Sequence, residues 1–129
     1  MKTIPSNLIE PLNAFLTSVN AAYEIYWKRS NFTYMVSPIV RVHTIGQKYA
    51  KLAQFEKRSG GDWSARSVYC FLDLTNGDLL KGTWKAPVAG AVRGNLKDVD
   101  LLKKFDIHGP CYLSGGGCFP SIYNELKNY

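Results

Sequence analysis

The tetrapeptide Thr75-Asn76-Gly77-Asp78 constrains this chain more than any other stretch, because β-rich runs flank it on both sides. Asn-Gly between apolar runs predicts a hairpin, since both residues tolerate the positive φ of a type I′ turn. Closing the chain there sets Leu74 opposite Leu79, Leu72 opposite Lys81 and Cys70 opposite Thr83. The other face then carries Asp73 with Leu80, Phe71 with Gly82, and Tyr69 with Trp84. One face is aliphatic on its leading strand and the other is aromatic. Phe71 is suited to Gly82, because a large ring can cover a bare backbone. Pro87 cannot donate to a ladder and is expected to end the second strand.

Upstream, Leu12, Phe15, Leu16, Val19, Ala22, Tyr23 and Tyr26 recur at helical spacing. Pro11 fits the first turn of that helix, where its missing N–H is not needed. Residues 1–10 are then an extended lead, and the helix ends near Lys28, where Lys28 and Arg29 suit its negative end. Asn13, Thr17, Asn20 and Glu24 take much of its other side. Residues 30–38 read as a connection, with Phe32 to Val36 able to pair as a strand. Val40 and Val42 alternate with Arg41 and His43, and Ala50 and Leu52 alternate with Tyr49, Lys51 and Phe55. A second hairpin turning at Gly46-Gln47 follows. A three-residue loop puts Val40, Val42, Ala50 and Leu52 on one face and Arg41, His43, Tyr49 and Lys51 on the other. Residues 57–65 form a polar loop. The expected fold is α+β: an antiparallel meander of about four strands, the N-terminal helix on one face, and short C-terminal helices.

Past Pro87, Arg93-Gly94-Asn95 reads as a turn, and Asp98 is placed to cap a short helix through Phe105 with Leu101, Leu102 and Phe105 inward. Pro120 opens a last helix to about Leu126. The 129 residues are a single domain's worth, with 46% hydrophobic residues, enough for a core. No run approaches the ~20 apolar residues of a membrane span, and the N-terminus has no apolar signal region. Three cysteines are a poor disulfide framework, so the expectation is a cytosolic protein. Asn31-Phe32-Thr33 matches a glycosylation pattern that has no role without secretion.

The residues VYCFLDLTNGDLLKGTWKAP and the following Arg93-Gly94-Asn95 carry a resemblance. Together with Lys48, Tyr49 and Lys51 and the Arg66–Phe71 strand, this stretch resembles a group of small uncharacterised bacteriophage proteins. The likeness covers the middle third of the chain and departs from the pattern at 88–92, where VAGAV replaces a more basic segment. It implies a viral source, the cytoplasm of an infected host cell and a small accessory role, and nothing about catalysis.

The net charge of +6 favours an anionic partner, nucleic acid first. The sheet face of Arg41, His43, Tyr49, Lys51, Tyr69, Phe71 and Trp84, with Arg66 close by, interleaves cations with rings. That pattern suits single-stranded nucleic acid, whose bases stack while its phosphates meet the cations. The competing reading buries those rings under the C-terminal third. Arg93-Gly94-Asn95 beside Lys81 and Lys85 is a second anion candidate. Ser114 to Cys118, leading into the last helix, is a third, though it matches no standard phosphate-loop spacing. His108, Cys111 and Cys118 have a spacing foreign to common zinc modules, and no cofactor or metal is expected. Cys118 with His108 is a weak thiol-nucleophile pair. No carboxylate pair is placed for acid/base work, so the chain reads as a non-enzymatic binding protein. The alternative partner is a host protein, or a nucleotide signal captured as a counter-defence.

Overall fold

A computed structural model describes residues 3–30, 36–57, 61–111 and 120–127. Helix α1 spans Ser6–Arg29. Five strands follow: β1 Ile39–Ile45, β2 Tyr49–Lys57, β3 Trp63–Asp73, β4 Asp78–Gly82 and β5 Pro87–Asn95. They form one antiparallel sheet in the order β1-β2-β3-β4-β5. A 3-10 turn at Leu101–Lys103, a two-stranded ribbon of β6 Phe105–Asp106 and β7 Gly109–Pro110, and helix α2 Ile122–Lys127 complete the fold. The α+β meander with α1 against it is as expected, with one strand more.

Helix α1 begins five residues before Pro11. Leu8 lies one turn before Leu12 on the same buried stripe, which continues through Phe15, Val19, Ala22 and Tyr23. Burying Leu8 stabilises by about 1.5–3 kcal/mol, enough to offset the intrahelical bond that Pro11 cannot make. Asn20, expected on the outer side, instead donates from Nδ2 to the Val40 carbonyl (3.0 Å) and accepts from the Val40 N–H at Oδ1 (2.7 Å). One side-chain amide thereby satisfies part of the free edge of β1. Arg29 makes a bidentate pair with Glu125 (2.7 and 3.0 Å), tying α2 to the end of α1.

The central hairpin exists, but its register differs from the expectation by two residues. Leu72 faces Leu79 and Phe71 faces Leu80. A two-residue slip by itself keeps side chains on their expected faces, whereas a one-residue slip would have inverted the sheet. The longer connection arises from side chains that capture the backbone. Asp73 Oδ1 accepts the Thr75 N–H and Asn76 Oδ1 accepts the Asp78 N–H. Gly77, at φ 85°, donates to the Asp73 carbonyl. Asn95 of β5 donates to the Asn76 carbonyl and to Asp78, so the turn is also clamped from a neighbouring strand.

Four further expectations are corrected. Arg93-Gly94-Asn95 is the end of β5, not a turn, with Gly94 facing Leu79 and Asn95 facing Asp78. Pro87 opens β5 after a tight Thr83–Ala86 connection. Trp63 to Ala65 already belong to β3. The expected helix at 98–105 is a single 3-10 turn, because the Asp98 carboxylate accepts from the Asn95 N–H and Lys104 Nζ instead of capping forward. Leu101 and Phe105 do turn inward. The proposed strand at 32–36, apart from Val36, and the Asn31-Phe32-Thr33 pattern lie outside the described residues.

The core lies between α1 and the inner sheet face, where Val40, Ala50, Leu52, Cys70, Leu72 and Leu79 meet the helix stripe. Leu96, Leu101, Phe105, Ile107 and Ile122 close its far end. Tyr69 also lies here, and this corrects its expected place opposite Trp84. Leu52 pairs with Cys70 but Ala53 pairs with Val68, so Tyr69 is the extra residue of a β-bulge. The bulge breaks the alternation and turns Tyr69 toward the helix side together with Cys70. Its ring stacks on Phe105 (6.0 Å) and approaches Phe15 (6.3 Å), and its hydroxyl donates to the Asp106 carbonyl at 2.6 Å. Tyr69→Phe is expected to cost about 1–3 kcal/mol in a denaturant melt, because a buried carbonyl loses its donor.

Candidate nucleic-acid interface

The outer sheet face is built around a second, smaller irregularity. Val42 faces Leu52 and Thr44 faces Lys51, which leaves His43 as an extra residue in β1. His43 keeps the outer face that strand alternation gives it, 5.6 Å from the Phe55 ring and 5.3 Å from Trp84. Arg41 places its guanidinium 4.1 Å above Phe55. Lys51 Nζ stands 4.3 Å from the Trp84 ring and 5.9 Å from Phe71. Four elements thus converge: β1 gives Arg41 and His43, β2 gives Lys51 and Phe55, β3 gives Phe71, and the β4–β5 connection gives Trp84.

The face has a floor and a top. Ala53, Phe55, Phe71 and Leu80 are buried, although they point away from α1. Phe71 lies across Gly82, where an added Cβ would sit 2.5 Å from the ring and 2.8 Å from the Ala86 carbonyl. The ring therefore covers Gly82 as expected, from a diagonal position. Of the rings that converge here among the described residues, Trp84, 44% exposed, and His43 offer exposed surface to a ligand. Among the described residues the C-terminal third packs on the helix side, where it covers Tyr69 and leaves Trp84 free.

Charge is distributed unevenly on this face. Arg41 and Lys51 have no carboxylate within ion-pair distance among the described residues. Other cations are neutralised: Arg29 by Glu125, Lys104 by Asp98 and Asp100, and Arg66 by Glu56 at 3.3 Å. A cation over a ring face is attracted by about 0.5–2 kcal/mol and keeps its charge for a phosphate.

The remaining candidates scatter. Tyr49 is half-buried opposite Asp73, with Lys48 Nζ 5.4 Å from its ring. Arg66 is engaged by Glu56, and Tyr69 is in the core. Lys81 is exposed in β4 and Lys85 in the following connection, while Arg93 lines a cleft beside β5. Phe55 also belongs to the site, beyond the residues expected there from the sequence. The signal was present in the alternation Lys51, Ala53, Phe55, which carries the outer face two residues further.

Cysteine chemistry is displaced from this face. Cys70 is fully buried, and burial pushes its thiol well up. Burial, and then Asp106, push the Cys111 thiol up, which disfavours a thiolate. Cys118 and the Ser114–Cys118 loop lie outside the described residues. Among the described residues no three His, Cys, Asp or Glu side chains are gathered to hold a metal ion. None of the described helices is long and apolar enough to cross a membrane.

The fold and this surface define a helix-backed antiparallel sheet whose open face is cationic and aromatic. Residues 3–113 match a family of unknown function (DUF7717), and the chain belongs to that family. No curated protein and no solved structure matches it.

Proposed function

We propose that this protein binds single-stranded nucleic acid across the outer face of its sheet. In this reading it is a small, non-enzymatic, phage-type accessory protein acting in the cytoplasm of the infected cell. The observation that carries the reading is the pair Arg41 and Lys51: two cations without acidic partners among the described residues, each held over a ring, on the face that exposes Trp84 and His43. Phosphates meet the cations and a base stacks on Trp84, an arrangement tolerant of sequence because every base has a π-face. Trp84→Ala is expected to weaken binding of a fluorescent single-stranded oligonucleotide by about 1–3 kcal/mol while leaving the salt slope nearly unchanged. Its exposure predicts little loss of stability, so circular dichroism of the variant should match the parent. Failure of micromolar oligonucleotide to bind the parent at low salt would overturn the proposal.

A second reading, a host-protein partner, draws on a different feature. Val88 and Val92 of β5 are exposed alongside Trp84, giving the sheet an apolar margin. An apolar protein interface holds as salt rises, whereas nucleic-acid binding weakens steeply, so one salt titration separates the two. A captured nucleotide signal is the third form of anionic partner, and competition by free nucleotide identifies it.

A further inference from the structure

Between β5 and the turn that follows it lies a cleft of about 570 Å³, within the range of small-molecule sites. Its wall carries Arg93, Lys103 and Lys104 against Asp78 and Asp98, with Asn95 and Cys111 among the other lining residues. The charges are not equivalent. Lys104 Nζ binds Asp98 Oδ2 at 2.9 Å, and the same oxygen accepts the Asn95 N–H at 2.9 Å. The hydrogen bond from Lys104 holds the Asp98 carboxyl below the usual carboxylate range, so this pair stays ionised and internally balanced. Asp78 Oδ1 is occupied by the Asn95 amide at 2.9 Å. Arg93 and Lys103 are left without an ion pair among the described residues; Lys103 meets only the Tyr123 ring, at 4.9 Å.

We propose that this cleft binds a small phosphorylated ligand, with its phosphate held between Arg93 and Lys103. Arg93 sits on a strand and supplies a planar fork for phosphate oxygens; Lys103 supplies a compact charge from the 3-10 turn. The Lys104–Asp98–Asn95 network ties together the wall that lines the same cleft as both cations. The site is distinct from the outer face proposed for nucleic acid and shares none of that face's cations.

Calorimetric titration at low salt with inorganic pyrophosphate, ADP and adenosine tests it. Pyrophosphate and ADP are expected to bind and adenosine not to. Arg93→Gln should weaken the phosphates about tenfold, as expected for one lost charge-assisted bond. Trp84→Ala should leave pyrophosphate binding unchanged, since that ligand has no base to stack. An experiment on the unaltered chain guards against a misfolded variant: alkylation at Cys111, read from fragment ions of its peptide, should slow several-fold with pyrophosphate present. Absence of binding by both phosphates overturns the site. So does an equal loss in Lys51→Ala, which would assign the anion to the sheet face, and so does unchanged Cys111 alkylation.

Discussion

Phe105→Ala is expected to lower the free energy of unfolding by about 3–5 kcal/mol, read from a chemical denaturation curve. Phe105 is fully buried where α1, β3 and the C-terminal ribbon meet. Its ring packs edge-on against Phe15 at 5.1 Å and stacks with Tyr69 at 6.0 Å. An added Cβ on Gly94 would lie 3.4 Å from it, so the β5 backbone also forms part of its cavity. Truncation removes a ring from three sides at once, and a sheet backbone on one wall cannot collapse to refill the space. A loss below about 1.5 kcal/mol would mean that the C-terminal segment is not docked as described. The Phe105→Leu variant, which keeps much of the volume, should recover a large part of the loss.

The double substitution Arg41→Ala/Lys51→Ala is expected to remove most single-stranded oligonucleotide binding. Each phosphate contact contributes about 0.7 to the slope of log K against log salt, so the slope should flatten by about 1.4. Trp84→Ala behaves differently, because stacking releases no counterions. Both cations are on the surface over rings rather than in the core, so melting of the double variant should stay close to the parent. Equal effects of all three substitutions on the slope would contradict the division of labour between ring and cations. A slope unchanged by the double substitution would remove this face from consideration and leave the apolar margin at Val88 and Val92 as the candidate.

Much of this was legible from local patterns. Period two in 39–55 and 67–82 set which residues share a face, and apart from Tyr69 the residues that build the outer face kept that assignment despite a two-residue error in the central register. Period 3.6 placed the stripe of α1, though not its start, since a proline penalty is local and the burial of Leu8 is tertiary. The grouping of Arg41, His43 and Lys51 with Phe71 and Trp84 follows from strand alternation plus nearest-neighbour pairing. Phe55 was reachable by the same rule.

What the chain alone determined is the order from α1 through β4 and the face of most residues in those elements, because both follow from side-chain spacing along a single segment. Only the tertiary structure decided where the alternation breaks. The bulge at Tyr69 sent the expected partner of Trp84 into the core, where the Asp106 carbonyl and the Phe105 ring receive it. A bulge inserts one residue against a partner strand, and its gain lies in contacts with elements distant in sequence, 37 residues away in the case of Asp106. For the same reason Arg93-Gly94-Asn95, turn-like in isolation, is a strand: Asp78 and Leu79 stand ready to pair with it.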